Sequence, residues 1–309
     1  MALDPQAKLI LEQIEKAGAP PLHTMPPEKA RAAYQAMRST NDVEEVGSVE
    51  NRQIPGPKGE IPIRIYRPAH SEPVKLPILV FYHGGGWVIG NLDTHDAACR
   101  TLTNQANCMV VSVDYRLAPE HKFPAAVEDA FAALEWVANH AEEIGGHREK
   151  IAVGGDSAGG NLAAVASILA KEKKSPKLVF QLLIYPSTGA GPTKSYEENG
   201  EGYFLTKELM AWFRNHYMNR PEDAKHPYFS PYLYQNASGL PPAFIITAEY
   251  DPLRDDGKAY AEKLKNAGVD VQYAEYKGMI HGFVTMASVI DKGKTALQDA
   301  AAALKKAFQ

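Results

Sequence analysis

A serine attacks a carbonyl carbon only where its hydroxyl is lifted clear of the core and a base stands ready to take its proton. The run KIAVGGDSAGGNLAAVASILAKEK offers such a serine at position 157. A short apolar stretch leads into Gly155-Asp156-Ser157-Ala158-Gly159, and a helical pattern begins at once. That is the strand–turn–helix context the G-x-S-x-G pattern requires. On so sharp a turn the strand and helix backbones come close, and glycines two residues either side of Ser157 avoid a clash. The helix start also brings the Ala158 amide, with the positive end of the helix dipole, near the reacting oxygen. A glycine-rich phosphate turn is the competing reading, but no G-x-G-x-x-G fits and no Gly-Lys-Ser/Thr follows.

Acyl transfer also needs donors for the oxygen that becomes negative. Upstream, PILVFYHGGGWVIG sets His83-Gly84-Gly85-Gly86 directly after a strand pattern. Consecutive glycines let the backbone turn its amides inward and approach a ligand closely. Gly85, Gly86 and Ala158 are the three candidate donors.

Ten histidines compete to be the base. His23 and His70 lie early, and His83 belongs to the glycine run. His95, His121, His140 and His147 precede the nucleophile, and His216 and His226 fall in a turn-rich insertion. His281, in GMIHGF, alone follows the last strand pattern, where a loop can present it to Ser157. For the orienting acid, Asp251 follows the strand pattern AFIITA in the phrase EYDPLRDDG, with Glu249 as its competitor. Asp255 and Asp256 read as charges at the start of the next helix. The chain order of the three candidates is Ser157, then Asp251, then His281. No H-E-x-x-H occurs, so no metal is expected.

These groups need elements to carry them. β-branched apolar runs recur at 61–66, 78–82, 109–113, 151–153, 178–185, 243–247 and 271–276. Helical spacing fills most of the intervals, as at Val127, Ala130, Phe131, Leu134 and Val137. The alternation predicts an α/β chain with a mainly parallel sheet covered on both faces, as one domain over 1–309. Two segments interrupt it. One is the first 45 or so residues, with helical patterns near 7–16 and 28–37. The other is about 187–231, opening with STGAGPT and holding a helix near 206–219. Together they are expected to cap the sheet; the simpler alternative is a packing arm plus a surface excursion.

Composition limits the partners. The net charge is −4, which argues against nucleic acid, and no run approaches the roughly 20 apolar residues that span a bilayer. The N-terminal run has no signal-peptide pattern, so a cytoplasmic location is expected. Of two cysteines, Cys108 reads as a buried thiol rather than a ligand.

HGGGW, DYRLAPEHKFPAA, GDSAGG, YDPLRDDG and the final HGF, in that order, resemble the hormone-sensitive lipase family of microbial carboxylesterases. The likeness runs over nearly the whole chain. It implies the α/β-hydrolase fold with an eight-stranded sheet and a two-part helical cap. It also implies hydrolysis of short- to medium-chain carboxylic esters through an acyl-enzyme, without cofactor. Ser157, Asp251 and His281 match the family's triad, and Gly85, Gly86 and Ala158 its oxyanion hole. In DYRLAPEHKF, Arg116 and Glu120 are expected to brace structure. Met210, Phe213 and Tyr217 share one helix face. With Tyr203, Phe204 and Leu205 they either line an acyl pocket or dock the cap onto the core. A small ester is the expected partner, for a monomer or homodimer. Two rivals are an amidase on the same scaffold and a pocket used only for binding, as in the gibberellin receptors. Those receptors lack the catalytic histidine, and His281 is present here.

Overall fold

The computed structural model describes residues 2–38, 43–69 and 75–309. His70 lies outside the described residues, as does part of the first expected cap segment. An eight-stranded sheet runs through the molecule in the order β1-β2-β4-β3-β5-β6-β7-β8. Its strands are β1 Ser48–Gly56, β2 Gly59–Arg67, β3 Leu76–Tyr82, β4 Met109–Val113, β5 Gly146–Asp156, β6 Phe180–Ile184, β7 Ala243–Tyr250 and β8 Val271–Ile280. β1 and β2 form an antiparallel hairpin, and β2 pairs antiparallel with β4. Every pairing from β4 through β3 to β8 is parallel.

Residue parity assigns the two faces. Ile78, Val80 and Tyr82 of β3, with Ile151 and Val153 of β5, meet helices α4 (Ala125–His140), α5 (Ala158–Lys173) and α8 (Arg254–Asn266). Leu79, Phe81, Ala152, Phe244 and Ile246 point the other way, onto α3 (Asp96–Ala106) and α9 (Asp291–Ala307). A strand buried on both sides shows no polar alternation, which is why these runs read as continuously apolar.

Seven strands coincide with the apolar runs; β1 does not. Its sequence SVENRQIPG buries only Ile54, because an edge strand exposes one flank to water. β5 begins five residues before the expected run, through the polar stretch His147–Lys150.

The remaining helices are α1 (Pro5–Ala17), α2 (Pro27–Arg38), α6 (Lys194–Asn199) and α7 (Lys207–Tyr217). Asp4 caps α1 by accepting the Gln6 N–H at 3.0 Å, and Pro5 supplies a preset first turn. Thr206 caps α7 in the same way through the Leu209 N–H at 3.2 Å. α6 was not foreseen within the insertion. Arg31 of α2 joins the first segment to the sheet loops, donating to Val88 O, Ala118 O and Glu120.

Asp255 and Asp256 stand in the first turn of α8, as expected, and each has a further partner. Asp256 is buried and accepts the N–H groups of Thr188, Gly189 and Ala190 at 2.5, 3.1 and 2.5 Å. Asp255 accepts the Ser195 N–H at 2.8 Å. The two carboxylates fasten the insertion to α8. Burial pushes the Asp256 carboxyl up, against the pull of those three N–H groups. Among the described residues, no helix is long and apolar enough to cross a membrane.

Candidate active site

Parallel strands end at the same edge, so residues just beyond β5, β7 and β8 gather there although they are far apart in the chain. Ser157 follows β5, Asp251 follows β7 and His281 follows β8. Their side chains form one hydrogen-bonded line. His281 Nε2 lies 2.9 Å from Ser157 Oγ, and His281 Nδ1 lies 2.6 Å from Asp251 Oδ2. A carboxylate can only accept, so Nδ1 carries the proton and Nε2 is left to accept from the serine hydroxyl. Asp251 is fully buried and its second oxygen accepts the Leu253 N–H at 2.8 Å. Glu249, the competing acid, accepts instead from the Gly278 N–H at 2.7 Å. The ring of Tyr185 packs 4.6 Å from that of His281.

Ser157 has φ 55° and ψ −115°, a backbone state that side-chain-bearing residues rarely occupy. Holding it costs about 1–3 kcal/mol and persists only because the surroundings over-determine it. One such constraint is the close packing of α5 on β3. A Cβ on Gly159 would collide with the carbonyl of Tyr82, so glycine is required there.

The glycine loop after β3 presents its amides to the same point. Gly85 and Gly86 have φ of 120° and 59°. Among the described residues, their N–H groups and that of Ala158 donate to no protein acceptor. A Cβ on Gly86 would strike the ring of Phe213, so the wall of the cavity reaches right up to the loop. Gly84 is different: its N–H donates to Asp156 Oδ1 at 2.8 Å and faces His95 Nε2 at 3.2 Å.

Asp156 is the residue that sequence reasoning passed over. It occupies the variable place in G-x-S-x-G, yet it is buried and lies 3.0 Å from His95 Nε2. Burial pushes its carboxyl up, but the contact with His95 and the Gly84 N–H outweigh that and hold it below its usual value. His95, set aside as a helix or loop histidine, therefore ties the glycine loop to the strand that leads into Ser157. His83 is buried beside it, stacked on Tyr115 at 4.3 Å between ring centres. Burial first, and then His95, push the His83 ring down to about 3. A charged residue directly before Ser157, at the end of an otherwise apolar strand, was the available signal. Arg116 binds Asp129 through two nitrogens at 2.8 and 2.7 Å, and Glu120 pairs with Arg31, so both brace structure.

Above the line of three side chains lies a cavity of about 580 Å³, bordered by residues from α1, α2, α7 and the loop before α7. Tyr203, Phe204, Leu205, Met210 and Phe213 all line it together with Ser157 and His281. Tyr217 does not. It is fully buried and stacks on Trp87 at 4.5 Å, so one helix face divides between lining the cavity and docking the helix. Both cysteines are buried and unpaired, and burial pushes the Cys108 thiol up to about 12.

Comparison with known proteins agrees with this geometry. Residues 79–285 match the family model described as the α/β hydrolase fold. The chain is 44% identical over 287 residues to the carboxylesterase NlhH of Mycobacterium tuberculosis, covering 91% of this chain and 89% of that protein. It is 48% identical over 245 residues to the carboxylic ester hydrolase LipN of the same organism, covering 77% of this chain and 65% of LipN. A hyperthermophilic esterase from the archaeon Pyrobaculum calidifontis superposes with a TM-score of 0.94 at 45% identity, over 99% of both chains. The chain belongs to the α/β-hydrolase family, within the group that includes the hormone-sensitive-lipase-like esterases.

Proposed function

We propose that this chain is a serine carboxylesterase that hydrolyses small esters of short to medium acyl length, with Ser157 as nucleophile, His281 as base and Asp251 as the acid that orients it. The hydrogen-bonded line from Ser157 through His281 to Asp251, beside three unclaimed amides, carries the reading. Ser157 Oγ attacks the ester carbonyl while His281 Nε2 takes its proton. The oxygen turns negative against the Gly85, Gly86 and Ala158 N–H groups, whose fixed aim costs no reorganisation as charge develops. His281 returns the proton to the leaving alcohol. Water, activated by the same nitrogen, then releases the acid from Ser157.

The buried Asp251 holds the imidazole in the right tautomer and stabilises its cation, and need not itself take a proton. The first segment and the insertion act as a cap whose apolar side chains receive the acyl chain. The cavity of about 580 Å³ is of the size that holds a small-molecule ligand. The chain is proposed to work in the cytoplasm as a monomer or homodimer.

Turnover of p-nitrophenyl esters from two to twelve acyl carbons tests the reading. The rate should peak at short to medium lengths, and Ser157→Ala should lower it by about 10⁶. Near-normal turnover in that variant would remove the assignment.

A further inference from the structure

Arg38, the last residue of α2, borders the same cavity as Ser157 and His281. Its guanidinium carbon lies 5.2 Å from the ring centre of Tyr34 and 5.2 Å from that of Phe204. Its Nη2 sits 3.0 Å from where a Cβ on Gly282 would be, next in the chain to His281. Aromatic faces stabilise the cation, and the Tyr34 hydroxyl hydrogen-bonds with the Arg38 side chain, but that leaves part of the fork unmet. Nε and Nη2 are both shielded from solvent and donate to nothing among the described residues.

The other partly buried arginines are satisfied. Arg31 meets Glu120 and two carbonyls, Arg64 meets Asp93 and Asp96, Arg116 meets Asp129, and Arg254 meets Asp255. The two carboxylates buried at the catalytic centre are already taken: Asp156 by Gly84 and His95, Asp251 by His281 and Leu253. A guanidinium cannot shed its proton to relieve the cost of an unmet donor. Its two idle N–H groups have the fork spacing that a carboxylate fills with two parallel bonds. Glu15 and Glu208 also border the cavity, but they are exposed at its rim, where water and salt screen them.

We infer that Arg38 forms a carboxylate-binding subsite, so that esters carrying a free carboxylate are favoured over neutral esters of the same shape. The inference rests on the esterase reading and specifies its substrate class. The carboxylate could sit on the acyl half or on the alcohol half, and matched pairs separate the two. Monoethyl succinate against ethyl 4-methylvalerate tests the acyl half; 3-acetoxypropanoate against isopentyl acetate tests the alcohol half.

The readout is the ratio of kcat/KM for charged over neutral ester within each pair, in the wild type, Arg38→Lys and Arg38→Gln. In at least one pair the ratio should fall about 10–100-fold in Arg38→Gln, mainly through KM, with part of it kept by Arg38→Lys. Ratios that stay within about twofold in both pairs would overturn the subsite while leaving the esterase intact. Absence of hydrolysis of all four esters by the wild type would overturn the esterase reading and the subsite with it. A second measurement needs no variant. On the wild type with a neutral ester, succinate should compete at least about tenfold more tightly than succinamide, and equal competition would overturn the proposal.

Discussion

Two regions meet at Ser157, and they are built on opposite principles. On the sheet side, residues at the ends of β5, β7 and β8 are held by paired polar groups, and Asp251, His281 and Asp156 each have their partners within 2.6–3.0 Å. On the other side, α1, α2, α7 and the loop before α7 contribute mainly apolar side chains, with Arg38 as a partly buried charge among them. Parallel strands fix where the reacting atoms stand. The segments outside the β–α alternation line the cavity beside them and are proposed to decide what fits there. Changes on the sheet side should therefore strike the rate for every ester alike, and changes on the other side should re-sort the esters.

The largest effect after loss of the nucleophile is expected at Asp251. Asp251→Asn should keep the fold but lower kcat about 10⁴-fold, because the amide lets His281 settle in the wrong tautomer. The measurement is kcat over a set of acyl lengths, and the loss should be the same at each length. A loss confined to long chains would blur the division between the two regions.

Asp156→Ala comes next. It leaves the Gly84 N–H and His95 without their shared acceptor and frees the glycine loop. We expect kcat to fall about 10²–10³-fold, the size of one lost oxyanion donor, and stability to fall by about 1–3 kcal/mol. The pH dependence has a definite sign. A carboxyl whose folded value is depressed contributes stability that is present above its unfolded value near pH 4 and lost as pH falls through the folded value. The Tm gap between wild type and variant should therefore narrow as pH drops from 7 towards 3. A gap that is constant across that range would deny the charge its role.

The smallest effect belongs to the cavity wall. Met210→Ala should move the preferred acyl chain longer by about two carbons, with a change of several-fold in kcat/KM ratios, since each buried CH₂ is worth about 0.8 kcal/mol. An unchanged profile of rate against acyl length would show that Met210 only packs.

Legibility in the sequence followed the same divide. The turn at Ser157 and the loop at Gly85 and Gly86 could be read because their backbones tolerate few residues, so glycine spacing records the geometry. β3, β4, β6 and β7 were readable because burial on both faces forces continuous apolar runs, whereas β1 at the sheet edge keeps only Ile54 inside. The pairing of Asp156 with His95 was not readable. The two are 61 residues apart in the chain, and their contact exists only once β3 and β5 lie side by side. The face of α7 was half readable: periodicity grouped Met210, Phe213 and Tyr217, but only packing shows that Tyr217 turns to Trp87 while the other two face the cavity. Arg38 gave no signal at all, since an arginine at the end of an amphipathic helix usually faces water.

Covalent trapping reaches the central claim most directly. After treatment with diethyl p-nitrophenyl phosphate, mass spectrometry of the digested protein should find one phosphoryl group per chain, on Ser157, with the rate of labelling collapsing in His281→Ala. An active enzyme that is labelled on another residue, or that labels equally fast without His281, would contradict the account.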